Sequence, residues 1–388
     1  MTSRALDIAR ALIRCPSVTP VEAGVLDCLA GVLAPAGFAL HRQVFSEAGT
    51  PDVDNLFATI GAGAPHLVFA GHTDVVPPGD ESRWRFPPFS GQIADGRLWG
   101  RGACDMKGGV AAFAAAALDF VEAGGLNQGT LSFLITNDEE GPSINGTAKL
   151  LEWTRTQGIR FDDCIVGEPT NPTHIGEMVK IGRRGSLSGD IFVRGMQGHS
   201  AYPQQADNPI PVLARIVTAL SDTPLDEGTD VFDPTRLVVT SVDVGNAARN
   251  VIPGEARAKF NVRFNDLWTP ETLAARIRDI VEHADGHGRA ELVMQPCNSL
   301  AFRTQRGAFT DLVSEAIQAE TGLAPELSTT GGTSDARFIS RYCRVLEFGL
   351  TGETLHAVNE NIRIDDLDQL SRCYRRILDR YFAMNHPA

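Results

Sequence analysis

Seven acidic or imidazole side chains stand where chemistry is usually done, each just past an apolar run or in a loop rich in Gly and Pro. "VFAGHTDVVPPG" carries His72 and Asp74, "WGRGACDMKGG" carries Asp105, "LITNDEEGP" carries Glu139 and Glu140, "CIVGEPT" carries Glu168, and "GETLHAVNE" carries His356. Taken singly, each has an ordinary explanation. Asp105 caps the helix that follows it, Glu168 is a loop carboxylate before a proline, and a lone His is a surface or satisfied core residue. Taken together, two His and several carboxylates without a thiol suit a hard-to-borderline metal ion, and a catalytic zinc site fits that donor set best. The carboxylates outnumber what one tetrahedral ion takes, whereas two ions sharing a bridging carboxylate use them all. Asp74, two residues beyond His72 and on the same strand face, is placed to hold the other imidazole nitrogen. Glu139 and Glu140 would point to opposite faces of a regular strand. Gly141-Pro142 ends that strand, so the neighbours can diverge into different roles.

Elements must carry these groups to one place. "PHLVFAG", "GTLSFLIT" and "DDCIVGEPT" read as buried strands running into loops, and "DMKGGVAAFAAAALDFVEAGG" as a helix closed by glycines. Strands alternating with helices predict an α/β domain whose mostly parallel sheet is flanked by helices, with the working groups beyond the carboxyl ends of the strands. The middle of the chain reads differently: a strand at 187–195, a helix at 208–222, strands at 236–245 and 254–265, a helix opened by Thr269 as N-cap with Pro270 at its first position, and a strand at 290–296. That β-α-β-β-α-β order is the order of a ferredoxin-like unit. Helix and strand signals then resume and end in "LDQLSRCYRRILDRYF". The expected organisation is a catalytic domain of residues 1–182 and 296–388, interrupted by a smaller domain at 183–295.

Composition narrows the function classes. The chain has 388 residues, of which 43% are hydrophobic and 21% charged, enough for large cores in an ordinary globular protein. A net charge of −13 argues against a nucleic-acid binder and against a protein held on anionic membranes, so an anionic substrate must be met by locally placed arginines. The first residues show helical spacing without the apolar core of a signal peptide, and no apolar run is long enough to cross a bilayer. Seven scattered cysteines without a CxxC read as reduced thiols of a cytoplasmic protein. Two rival readings are weak. "GAGAPH" precedes a strand instead of linking strand to helix, which is the wrong context for a dinucleotide loop. Cys104 as a nucleophile has little beyond its place beside Asp105.

The stretches "GHTDVVPPGD", "GRGACDMKGG", "LITNDEEGPSINGT", "IVGEPT", "KIGRRGS", "GHSAYP", "NVIPGEARAKFNVRF" and "GGTSDARF" follow one another in an order that resembles the co-catalytic dizinc aminoacylase/carboxypeptidase family of metallopeptidases. The likeness covers almost the whole chain. It implies a zinc-peptidase-like catalytic domain, an inserted dimerisation or lid domain, a homodimer, and two Zn2+ per subunit with Co2+ as a substitute. It makes Asp105 the bridging ligand, gives His72 and Glu168 to one ion and Glu140 and His356 to the other, and sets a non-proline cis peptide at Asp105-Met106. Glu139 becomes the general acid/base, and Asp74 the residue that orients His72. The implied reaction is hydrolysis of an amide in a small N-acylated amino acid carrying several carboxylates. Bidentate arginines suit such a substrate. The resemblance points to Arg183 and Arg263, with Ser186, Tyr202, Asn250, Gly332 and Thr333 alongside; taken alone, Arg263 reads as an exposed strand cation and Arg183 as a loop charge. His199 is implied to reach the neighbouring subunit's site and polarise the scissile carbonyl. Within the family, "DEEGPSINGT" and "GGTSDARF" weigh against a sibling deacetylase or a broader aminoacylase. The run before His356 is shorter than in some relatives, and no substrate contact is assigned between Leu350 and Thr354.

Overall fold

The computed structural model describes residues 2–383. Two compact units divide the chain. One comprises the chain up to Ile181, Arg303–Ser328 and the chain from Ser334 onward, and the other comprises Gly182–Phe302 with the short segment Thr329–Thr333.

The first unit is built on an eight-stranded sheet. Its strands lie in the order Ala39–Phe45, Val53–Ala62, Gly129–Thr136, His66–His72, Asp163–Val166, Arg344–Glu347, Met178–Lys180 and Glu326–Ser328. Gly129–Thr136, His66–His72, Asp163–Val166 and Arg344–Glu347 run parallel to one another. The two outer strands on one side are antiparallel, as is the single pairing of Glu347 with Lys180. The sheet is therefore mixed, which corrects the mostly parallel sheet expected from strand–helix alternation. Ala39–Phe45 and Val53–Ala62 follow one another through a short connection with no helix, and such a connection joins only antiparallel neighbours.

The central strands are buried along their whole length, which is why they read as continuous apolar runs and not as alternating ones. Helix Gly108–Glu122 packs among them because Ala and Gly dominate its sequence and let backbones approach closely. A methyl group at Gly109 would lie 2.3 Å from the carbonyl oxygen of Gly167, so the start of this helix is pressed against the loop that carries Glu168. The last helix, Ile364–Ala383, buries Leu367, Leu370, Tyr374, Ile377, Leu378 and Tyr381 at the spacing of one helical face. Phe69 stacks on Phe113 at 4.2 Å between ring centres, and Tyr374 meets the edge of Phe113 at 5.2 Å, locking strand to helix to helix.

The second unit is smaller. Its four antiparallel strands lie in the order Arg236–Asp243, Glu255–Phe264, Gly185–Arg194 and Ala290–Met294. Burial alternates residue by residue along Gly185–Arg194, as on a sheet covered on one face only. Helices Ile210–Asp222 and Pro270–Asp285 cover that face, joining Ile216, Leu220 and Ile277 to Ile191, Val193, Phe260 and Val262 in one core. The Thr269 hydroxyl accepts from the Thr272 amide at 3.2 Å, and Pro270 takes the first helical position, as the sequence predicts. All seven cysteines are free. No helix among the described residues is long and apolar enough to cross a membrane.

Candidate metal centre

Three adjacent parallel strands deliver the candidate ligands from their carboxyl ends. His72 is the last residue of its strand and lies opposite Thr136, which ends the neighbouring strand. Residues 137–140 follow directly on one side, and Glu168 follows Val166 on the other. Asp105 comes from the distorted turn Ala103–Lys107 ahead of helix Gly108–Glu122, and its peptide to Met106 is cis. His356 comes from the loop after Arg344–Glu347.

The side chains converge in two halves that meet at Asp105. Asp105 Oδ1 lies 3.0 Å from His72 Nε2, and Oδ2 lies 3.1 Å from His356 Nε2. Glu168 Oε1 stands 3.8 Å from the same nitrogen of His72, while Glu140 Oε1 stands 2.8 Å from that of His356. Donor atoms of His72, Asp105 and Glu140 fall within 4.8 Å of one another, as do those of His72, Glu139 and Glu168. These two triads both use His72, but the shorter contacts pair Glu140 with His356. His72, Asp105 and Glu168 are buried, and no Lys or Arg ion pair with any of the five ligand candidates occurs among the described residues. A cation must answer so many converging carboxylates. Nitrogen and carboxylate donors without a thiol fit a divalent metal ion, and Asp105, facing both imidazoles, joins the two halves of the candidate site.

The electrostatics agree. His356 is held up to about 10 by its hydrogen bonds to Asp105 and Glu140. Burial alone would lower His72, yet the Asp105 hydrogen bond and the charges of Asp105, Glu168 and Asp74 hold it well above its usual value. Both shifts record a strongly negative pocket.

The Asp74 carboxylate, which the spacing predicts to hold the His72 imidazole, is not the group that ring bonds. Nδ1 of His72 lies 2.9 Å from the Asp74 carbonyl oxygen and 3.6 Å from its carboxylate. That carboxylate accepts instead from the backbone amides of Glu139 at 3.3 Å and Glu140 at 3.0 Å, so the side chain braces the glutamate pair while the residue's own carbonyl holds the imidazole. Asp138 supports the same turn from the other side by accepting from the amides of Ser143, Ile144 and Asn145. Glu139 faces a separate group. Arg337 Nη1 lies 3.8 Å from Glu139 Oε1 and 3.8 Å from Asp335 Oδ1, and Asp335 accepts from the Thr147 hydroxyl at 2.6 Å. Burial, reinforced by Asp335 and Asp105, pushes the Glu139 carboxyl up to about 8 against the pull of His72 and Arg337. Neither Asp138 nor Arg337 was a candidate on sequence grounds. Arg337 does sit inside "GGTSDARF", and the signal available was the one basic residue of that motif.

The remaining candidates all lie in the second unit, in two groups. Ser186 and Arg263 are directly opposite on neighbouring strands. Arg263 is half-buried, its Nη1 has no hydrogen-bond partner, and burial together with the nearby charge of Arg184 lowers its pKa. Arg183 is buried and donates to the Thr330 carbonyl at 3.2 Å, next to Gly332 and Thr333 in the chain. The second group is exposed. His199 pairs in register with Val251, the Ser200 amide donates to the Asn250 carbonyl, and the His199 and Tyr202 rings are 5.9 Å apart.

Comparison with known proteins identifies the family. The profile of "Peptidase family M20/M25/M40" matches residues 68–380. A succinyl-diaminopimelate desuccinylase of Methylocella silvestris is 59% identical over 380 residues, covering 97% of this chain and 98% of that protein. One of Beijerinckia indica subsp. indica is 57% identical over 382 residues, covering 98% and 100%. Among solved structures, an M20 family metallo-carboxypeptidase from Sulfolobus solfataricus superposes with a TM-score of 0.81 at 19% identity, over 99% of this chain and 100% of that one. A dinuclear metal-binding peptidase of the M20 family from Bacillus subtilis gives 0.71 at 18%, over 97% of each. The last two establish the fold alone, while the profile and the close relatives decide the family: the chain belongs to peptidase family M20/M25/M40.

Proposed function

We propose that the chain is a metal-dependent amide hydrolase that cleaves N-succinyl-LL-2,6-diaminopimelate to succinate and LL-2,6-diaminopimelate, a step of lysine and diaminopimelate biosynthesis. The observation that carries this reading is the division of Asp105, one carboxylate oxygen facing His72 and the other facing His356, in a chain 59% identical to a desuccinylase. His72, Asp105 and Glu168 would hold one Zn2+, and Asp105, Glu140 and His356 the other, with Co2+ able to replace either. When bound, the ions polarise the amide carbonyl and make the attacking water a stronger acid. Glu139 accepts the proton that the water loses as it adds to the carbonyl carbon. The same carboxyl then delivers that proton to the leaving nitrogen as the C–N bond breaks. Asp74 keeps the Glu139 and Glu140 amides in place, so that the base and the ligand point in different directions.

Arg183 and Arg263 are assigned to the substrate's carboxylates, because paired guanidinium donors suit them and Arg263 has a donor without a partner. Ser186, Tyr202, Asn250, Gly332 and Thr333 complete the proposed substrate contacts. The second unit is read as a ferredoxin-like module through which two copies associate. One of its two edge strands, Arg236–Asp243, leaves Val238 and Val242 exposed, as a pairing surface would. His199 then reaches the neighbouring subunit's site and polarises the scissile carbonyl there. Dilution to monomer is expected to remove activity in step with dissociation, and a monomer that keeps full kcat would end the cross-subunit role. The free cysteines support a reducing, cytoplasmic setting.

The test is hydrolysis of N-succinyl-LL-2,6-diaminopimelate by metal-stripped protein, before and after titration with Zn2+. Activity is expected only after zinc is added. N-acetylornithine assayed alongside separates the alternative, an acetylornithine deacetylase or other aminoacylase of the family. No zinc-restored turnover of the succinylated substrate would sink the proposal.

A further inference from the structure

Four residues beyond His356 stands Glu360, fully buried, whose carboxylate is spent on the backbone around Asp105. Its Oε1 accepts from the amides of Cys104 at 2.7 Å and Asp105 at 3.1 Å, and its Oε2 from the amide of Gly102 at 2.9 Å. These N–H groups belong to the turn that opens helix Gly108–Glu122, where a helix start leaves donors without partners. A carboxylate more than 250 positions away in sequence therefore caps the turn that bears the shared ligand.

Arg101 completes the arrangement. Its Nη1 donates to Glu360 Oε2 at 2.7 Å, and its Nη2 lies 3.4 Å from the carbonyl oxygens of both Pro77 and His356. The guanidinium rests 5.3 Å from the Trp84 ring centre and is only 2% exposed. This buried pair thus touches the stretch that follows His72 and Asp74, the turn of Asp105 and the loop of His356. The His356 ring itself is 46% exposed, with a left-handed backbone at φ 56°, and its hydrogen bonds go to Asp105 and Glu140. Those side-chain bonds leave the placement of its backbone to other contacts. Glu360 and Arg101 supply it, because one carboxylate and one guanidinium fix both backbones at once.

We infer that Glu360 and Arg101 are positioning residues for the metal centre, setting the spacing of Asp105 and His356 without offering either ion an atom. The inference rests on the metal reading of the site. An isolated buried ion pair carries no such implication. This one does because both partners spend their hydrogen bonds on the backbones that present ligands, the kind of outer contact whose loss typically weakens metal binding 10–100-fold.

The experiment is Co2+ titration of metal-stripped protein, followed by visible absorption and by competition with a chelator. Glu360→Gln turns an acceptor into an NH2 group facing backbone N–H donors, and Arg101→Lys keeps the charge but loses the fork. Each variant is expected to bind at least one of two Co2+ ions about 10–100-fold more weakly, with an altered absorption band. In Glu360→Gln, amide exchange at Cys104 and Asp105 should also speed up in the metal-free protein. A folded Glu360→Gln protein whose band and both affinities match those of the unaltered chain overturns the inference. Should that variant fail to fold, the same comparison with Arg101→Lys decides. If the unaltered chain binds no pair of Co2+ ions, the metal reading itself falls.

Discussion

Glu139→Gln is expected to keep both metal ions and to lose kcat by a factor on the order of 10²–10⁴, the contribution of a positioned general acid/base. The substitution leaves the local backbone braced, since Asp74 holds the amides of residues 139 and 140 and not the Glu139 side chain. Glu140 therefore stays where it meets His356, and metal content should be unchanged. An amide at position 139 keeps the size of the carboxyl but cannot take up the proton of the attacking water. Glu140→Gln provides the contrast: it removes a ligand candidate, and metal should be lost along with activity. Metal analysis and kcat measured on both proteins separate the roles. If Glu139→Gln retained substantial turnover, or lost as much zinc as Glu140→Gln, the assignment of base and ligand would be wrong.

Asp105→Ala is expected to do wider damage, weakening both ions together. Each oxygen of this carboxylate faces a different imidazole, so its removal takes a donor from both halves of the centre. Thermal melts with and without added Zn2+ give an independent readout. An ion present at 100 times its dissociation constant stabilises the folded state by about 2.7 kcal/mol, and a protein that no longer binds it gains nothing from it. The unaltered chain should therefore melt at a clearly higher temperature with zinc, and Asp105→Ala should show almost no shift. Retention of one tightly held ion in that variant would mean that His72 with Glu168, or Glu140 with His356, suffices alone, and Asp105 would not be the shared ligand.

Much of this was legible in the sequence, for reasons that differ by residue. The strands that end at His72, Thr136 and Val166 announce themselves because they are buried on both faces and read as apolar runs. The ligand candidates are legible only as a set, since each carboxylate or imidazole alone has an ordinary structural use and their number together suits a metal ion. Adjacency raised the question of Glu139 and Glu140, and half of the answer is that the strand stops at Thr136, ahead of the pair and ahead of Gly141-Pro142, where the sequence places its end. The other half, the carboxylate of Asp74 taking both amides, depends on a contact between residues 65 and 66 positions apart that no local pattern encodes. Glu360 is hidden for the same reason. In "HAVNE" it looks like an exposed loop acid, and only the folded chain brings it against the amides at 102–105. The mixed sheet escaped because strand–helix alternation describes the central strands well and says little about the edges. "GGTSDARF" reads as one motif, yet Gly331, Gly332 and Thr333 belong to the second unit and Ser334 onward to the first.

The candidate ligands are made in two instalments during synthesis. His72, Asp105, Glu140 and Glu168 all precede the second unit, whereas His356 and Glu360 follow it. At a synthesis rate of ~5–20 residues per second, the ribosome needs on the order of ten seconds or more to travel from Glu168 to His356. During that interval the nascent chain presents carboxylates and one imidazole with no partner for half of the centre. A chain released before His356 therefore lacks both that imidazole and the carboxylate that caps the Asp105 turn.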